Sequence, residues 1–183
     1  RAVLGALLVI ALLGVCLLAA TAVQAAGPTW GSQIEIAPRA NSPAVALDGR
    51  GNVHLVWVDD DGSLRYRRWN QGWAQAATVI SPPATQNGSP SLAADTLGRV
   101  HLVWRCDWQI RYALWQDGRW VDLAPELAEI PSPAHSPDEP LVAVDEHGQP
   151  YVIYFATSQD LVYTPYCTSL SGGAWRDTCR LPG

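Results

Sequence analysis

The 183-residue sequence contains no Lys and no Met, and Phe occurs once. All 12 basic residues are Arg, and 17 acidic residues outnumber them, for a net charge of −5. Without a basic excess the chain is not a nucleic-acid binder by default, because that binding is driven by neutralising phosphates. Charged residues are scarce at 16%, while 48% are hydrophobic, which excludes a disordered chain. Past the leader, no stretch has a convincing 3.6-residue period, so an α-helical domain is excluded. A phosphate loop, a zinc-ligand spacing and a Ser-His-Asp arrangement are also missing. What the chain does have is nine Trp, six Tyr, 14 Pro and 15 Gly. That is an aromatic-rich chain with many turns.

Ala2 to Val23 is apolar apart from Thr21, and Arg1 precedes it. The small residues Ala25, Ala26 and Gly27, then Pro28, follow. The pattern reads as a secretory signal peptide over residues 1–26. The alternative is an uncleaved N-terminal anchor, since the apolar run is long enough to span a bilayer. Either way the remainder is expected outside the cytoplasm, secreted or surface-exposed, and all-Arg usage points to a GC-rich bacterial genome.

The remainder repeats. Ser42-Pro43-Ala44-Val45-Ala46-Leu47-Asp48 is followed by Gly51-Asn52-Val53-His54-Leu55-Val56-Trp57. The same pattern returns at Ser89 to Asp95 with Gly98 to Trp104, and at Glu139 to Asp145 with Gly148 to Tyr154. The offsets are 47 and then 50 residues. Downstream, Leu64-Arg65-Tyr66, Ile110-Arg111-Tyr112 and Leu161-Val162-Tyr163 align, and then Trp69, Trp115 and Tyr166. Trp73, Trp120 and Trp175 close each unit. Of the nine Trp, only Trp108 has no counterpart, so Trp is mostly architectural here.

Each unit reads as four strands, a to d, joined by turns with Gly, Asp or Asn. Strand a is apolar throughout and is expected to be buried on both faces. Strand d is expected to start at the closing Trp. A period of 40–50 residues with four strands per unit marks a β-propeller blade. The fold class is therefore all-β: an incomplete propeller over residues 27–183, with units at about 42–80, 89–130 and 139–183. Trp30 to Ile36 matches strand d and is expected to be an orphan strand. Three units cannot close a ring, so the chain is expected to be a fragment of a longer protein; the alternative is self-association.

The c–d turns at Trp69 to Trp73, Trp115 to Trp120 and Ser169 to Trp175 resemble the Asp-box (BNR-like) repeats of the sialidase-like propeller family. Gly and Trp are kept in each, whereas the Asp survives as Asp117 and the Ser as Ser169. The resemblance implies a propeller in which these turns are structural. Sialidases of the family use three Arg, a Tyr–Glu pair and an Asp, and none of these carries over to a residue of this chain. Arg65 and Arg111, like Tyr66, Tyr112 and Tyr163, recur periodically, which argues for scaffold.

Asp48, Asp95 and Asp145 read as turn-stabilising residues, and His54 and His101 as packed strand residues. Asp59, Asp60 and Asp61 form a carboxylate cluster in a b–c loop. It reads as a solvated turn, with Ca2+ as the alternative. Arg105, Asp107 and Trp108 occupy the next b–c loop. A cation, an anion and an aromatic plate there would suit a sugar or peptide. The c–d turn of the third unit is expected to be enlarged, with Cys167 and Cys179 as a candidate disulfide across it; Cys106 is then odd.

The function these features favour is a binding module for a glycan, peptide or protein, without catalysis and without a required cofactor. The alternatives are a fragment of a sialidase-like glycoside hydrolase whose catalytic residues lie elsewhere, and a purely structural envelope module.

Overall fold

The computed structural model describes residues 31–83, 86–123, 129–130, 135–157 and 162–176. The chain divides into two compact units, Arg1–Ile36 and Ala37–Gly183. In the first, residues 31–36 are not a strand. Trp30, which opens the orphan strand expected there, lies outside the described residues, as does the apolar leader. An extended segment becomes a strand only when a neighbour takes its backbone groups, and residues 31–36 have no ladder partner among the described residues.

The second unit is all-β. Strands β1 (Asn41–Leu47), β2 (Val53–Val58), β3 (Leu64–Trp69) and β4 (Thr78–Ser81) form one antiparallel sheet in chain order. β5 (Gly88–Ala94), β6 (Val100–Cys106), β7 (Gln109–Gln116) and β8 (Arg119–Val121) form the next, and the short β9 (Glu129–Ile130) also pairs with β7. β10 (His135–Val144), β11 (Pro150–Thr157), β12 (Tyr163–Ser171) and β13 (Ala174–Arg176) form the third. β5 packs against both β1 and β10, and the Val142 N–H donates to Ser91 Oγ across that contact at 3.1 Å. First strands side by side and four-stranded sheets fanning outward are the layout of adjacent propeller blades. The three sheets do not close on themselves.

The same turn starts every sheet. The Asp48 N–H donates to the Asn52 carbonyl and the Gly51 N–H to the Asp48 carbonyl. Asp48 Oδ1 accepts the N–H groups of Arg50 and Asn52, both at 2.9 Å. Asp95 does the same for Leu97 and Arg99, and Asp145 for His147 and Gln149. Gly51, Gly98 and Gly148 each have φ 80°, left-handed backbone that glycine adopts without steric cost. A carboxylate that captures the amides two and four residues on, with a Gly at the third, thus stabilises the chain reversal.

Both faces of the middle sheet are covered. Val56, Val58, Leu64 and Tyr66 of the first sheet pack against Leu102 and Trp104 of the second. On the other face, Val103, Ile110 and Tyr112 pack against Val152, Tyr154 and Ala156 of the third. The aromatic contacts repeat with the units. Trp120 meets Tyr66 edge-on at 5.2 Å, and Trp175 meets Tyr112 edge-on at 5.1 Å. The closing Trp of the second and of the third unit therefore seals the sheet before it.

Four expectations are corrected. Strand a is not buried on both faces in the first unit: Val45 and Leu47 are 59% and 65% exposed, because β5 covers β1 on one side. Strand d of the first unit starts at Thr78, not at Trp73, which makes only an isolated bridge to Trp69. Leu161 lies outside the described residues, and Tyr163 is not the counterpart of Tyr66 and Tyr112. Those two face Val56 and Val103, whereas the matching Ile153 faces Cys167. The connection before β12 is longer than that of the first unit by four residues and than that of the second by five, which shifts the register. It follows that the c–d turn of the third unit is not enlarged. Ser171 pairs with Ala174 around Gly172 and Gly173, a two-residue hairpin like Asp117-Gly118.

Candidate functional site

Behind each of the first two turns lies a buried polar chain. Asp48 Oδ2 accepts from the Asn52 amide at 2.7 Å and lies 3.3 Å from His54 Nε2. His54 Nδ1 lies 2.9 Å from the Tyr66 hydroxyl. With Nε2–H donating to the carboxylate, Nδ1 accepts the Tyr66 proton, and a neutral imidazole satisfies both bonds. The second unit repeats this with His101 Nδ1 at 2.8 Å from the Tyr112 hydroxyl. There, however, Arg99 takes Asp95 Oδ2, and His101 Nε2 stands 3.6 Å away, short of a hydrogen bond. In the third unit one Tyr replaces the pair: the Tyr151 hydroxyl reaches Asp145 directly at 3.4 Å.

Burial favours the neutral form of Asp48, but the Asn52 bonds, then His54 and the Arg50 amide, outweigh it and hold its pKa at about 2. Burial depresses His54 and His101 below the ordinary 6.5, against the pull of Asp48 and Asp95. Burial likewise pushes Tyr66 and Tyr112 up, so both stay protonated donors. A depressed histidine contributes stability that is fully present above pH 6.5; it is lost below, where the unfolded chain takes up protons the folded one refuses. Urea midpoints should therefore fall between pH 7.5 and pH 5, and the fall should shrink in the His54→Gln/His101→Gln double variant. Asp48 adds a second loss, from about pH 4 down through about pH 2. An unchanged slope in the double variant would assign the first window to other groups.

Above these chains two clefts open, one at each junction between sheets. The first, about 320 Å³, is lined by Asp48, Arg50, Asn52 and Arg68 on one wall and by Leu97, Arg99, Trp115 and Gln116 among the groups on the other. The second, about 310 Å³, has Arg99, Tyr112 and Leu114 facing His147, Gln149, Leu170 and Ser171. By strand register these are the same site in successive units. Each is built from the a–b and c–d turns, the end opposite the one favoured from sequence. The guanidinium of Arg68 lies 5.8 Å over the Trp115 ring, so the first cleft combines a cation, an aromatic plate and amide groups.

The residues selected from sequence lie at the other end, and most are engaged in joining parts of the chain. Arg65 bridges Asp59 at 2.6 Å and Asp61 at 2.8 Å, and Arg39 lies 3.8 Å from Asp60. The Ser63 hydroxyl and amide bonds, aided by Arg65, hold Asp61 at about 2. This cluster is thus neutralised by guanidinium groups, and no set of three or more metal-ligating side chains occurs among the described residues. Arg105 reaches Asp138 of β10 at 3.4 Å, and Asp107 accepts the Gln86 N–H at 3.2 Å. Trp108 alone stands free at the tip, 65% exposed. Cys167 is disulfide-bonded, while Cys179 lies outside the described residues. Cys106 is a free thiol, raised by burial. The cleft residues Arg50, Asn52 and Arg68 were not singled out from sequence. Their signal was present: Leu97, Arg99 and Leu114 stand at the matching positions, a break in the repeat.

No protein-family model matches the chain, and no curated protein matches it either. Solved structures do. A fucose lectin from Kordia zhangzhouensis, in complex with methyl-fucoside, is 24% identical with a TM-score of 0.50, over 77% of this chain and 100% of that one. A lectin from Aleuria aurantia in complex with Fucα1-6GlcNAc is 12% identical with a TM-score of 0.57, over 85% of this chain and 50% of that one. A thermostable family-43 glycoside hydrolase is 16% identical with a TM-score of 0.51, over 79% and 59%. The chain thus spans the whole Kordia lectin but little more than half of the other two. At these identities the likeness establishes a shared propeller-type fold.

Proposed function

We propose that the protein is an exported carbohydrate-recognition module that binds a glycan in its interblade clefts without chemistry. The observation carrying this reading is the polar cleft at the first sheet junction, where Arg68 lies over Trp115 beside Arg50, Asn52 and Gln116. Sugars are held by planar hydrogen-bonding groups beside an aromatic face. Guanidinium and carboxamide groups beside Trp115 supply these in the first cleft. The lectin neighbours, whose structures hold fucosides, support the same ligand class. Glycosidic cleavage needs a carboxyl group raised to serve as acid, and Asp48 is shifted the opposite way. The apolar leader and the disulfide at Cys167 support export, since disulfides persist in oxidising compartments.

The test is a glycan array probed with the full chain, followed by titration calorimetry on the strongest binder. Gln116→Ala, at the cleft wall, should weaken binding about three- to tenfold, the range of one or two lost neutral hydrogen bonds. Trp108→Ala should leave it unchanged. The reverse result would move the site to the b–c loops, and an array without saturable binding would end the carbohydrate reading.

A further inference from the structure

We propose that the cleft between the first and second sheets selects an acidic sugar, carrying a carboxylate or sulfate, over its neutral counterpart. This rests on the carbohydrate reading above and assigns the ligand's charge. The argument comes from the arginines. Among the described residues, Arg39, Arg65, Arg99, Arg105 and Arg111 each have a carboxylate within 4 Å. Arg67 and Arg176 donate to backbone carbonyls instead. Arg50, Arg68 and Arg119 have neither kind of partner; Arg119 lies exposed on β8 outside the cleft, whereas Arg50 and Arg68 both line it.

The anions nearby do not pair with them. Asp48 lies in the same wall, but its carboxylate already takes four hydrogen bonds, from the Arg50 and Asn52 amides, the Asn52 side chain and His54. Asp117 stands exposed at the rim and accepts from Gln116. The third guanidinium of the cleft, Arg99, is spent on Asp95 and the Gly148 carbonyl. Two cationic forks therefore face the cleft with their donors unpaired, beside the ionised Asp48, whose oxygens are already hydrogen-bonded, and the peripheral Asp117. Arg68 is half-buried and is held over Trp115. A planar guanidinium fixed in this way is ready to take a carboxylate or sulfate through two oxygens, while the indole beside it faces the sugar ring. In the second cleft Leu114 stands where Arg68 does, the remaining guanidinium is the spent Arg99, and the acidic preference is lost there. The two clefts share a framework and differ in charge, so they divide ligands between them.

The experiment uses the full chain and immobilised glycans in matched sets: glucose, galactose and mannose termini, each also as the C6 carboxylate and as the 6-sulfate. At about 50 mM NaCl an acidic member should bind about tenfold tighter than its neutral partner, and the preference should shrink at about 500 mM as screening shortens the reach of the charges. The carboxylate and sulfate arms identify which anion the cleft takes. Arg50→Gln/Arg68→Gln should bring the acidic member down to the neutral level. Arg39→Gln, at the opposite end, should leave the preference intact. Arg50→Gln alone, on an exposed turn, reports on the charge without disturbing a strand. Equal binding of neutral and acidic members, or a preference that survives the double variant, overturns the inference while leaving carbohydrate recognition standing. Binding to no member of any set removes both.

Discussion

Replacing Asp48 by Ala should destabilise the folded chain by about 3–5 kcal/mol, the range for breaking a buried charged network from one side. The side chain of Asp48 is 5% exposed and that of His54 fully buried. Removing the carboxylate strands two backbone amides and the Asn52 amide group at the floor of the cleft, and the His54 Nε2–H in the buried interior. Each orphaned donor retains its desolvation cost. The loss also travels, because His54 orients the Tyr66 hydroxyl and Tyr66 is the surface on which Trp115 and Trp120 close. Chemical denaturation should show a lower midpoint for Asp48→Ala with an unchanged slope. Asp145→Ala, which lacks the Asn and His partners, should lose much less. Equal losses at the two positions would mean that the turn amides, and not the buried network, carry the stability.

Gly148→Ala should cost about 3 kcal/mol and Gly51→Ala about 1, although both glycines have φ 80°. The backbone cost of a left-handed alanine is common to both. The difference lies in what a methyl group would meet. At Gly51 nothing lies within 4 Å, whereas at Gly148 the added carbon would fall 2.2 Å from Arg99 Nη2 and 3.0 Å from Asp95 Oδ2. Arg99 must then swing out, giving up its bond to the Gly148 carbonyl and leaving the buried Asp95 carboxylate without its guanidinium. Thermal unfolding of the two variants side by side checks this. Comparable losses would show that Arg99 yields without penalty and does not join the second and third turns.

The legible part of the fold was the local part. An Asp that captures the amides two and four residues on writes the hydrogen bonds of its turn into five consecutive residues. Each strand pair after such a turn inherits its register from it. The first two units, which differ by one residue between strands b and c, were aligned correctly because Leu64-Arg65-Tyr66 and Ile110-Arg111-Tyr112 mark strand c in both. The third was not. The longer connection before β12 separates the landmark Tyr163 from its apparent position, and only the pairing of Ile153 with Cys167 shows that a Cys has taken the place of Tyr66 and Tyr112. The candidate site was legible to a lesser degree. Charged and aromatic loop residues were selected because their types suit a ligand. Most of those charges are consumed in holding the chain together, Arg105 with Asp138 and Arg65 with Asp59 and Asp61.

By itself the sequence determined an all-β chain of three repeated four-stranded units, their a–b turns and the architectural role of most tryptophans. These properties depend on hydrogen bonds and side-chain alternation within about ten residues. The tertiary structure decided which faces meet, that Trp120 and Trp175 each seal the preceding sheet, and that Arg50 and Arg68 face a cleft with their charges unspent. Those outcomes depend on groups some 50 residues apart, brought together when one sheet stacks on the next. The Arg105 guanidinium is paired only because stacking brings Asp138 of the third sheet beside it, and Arg68 lies over Trp115 for the same reason.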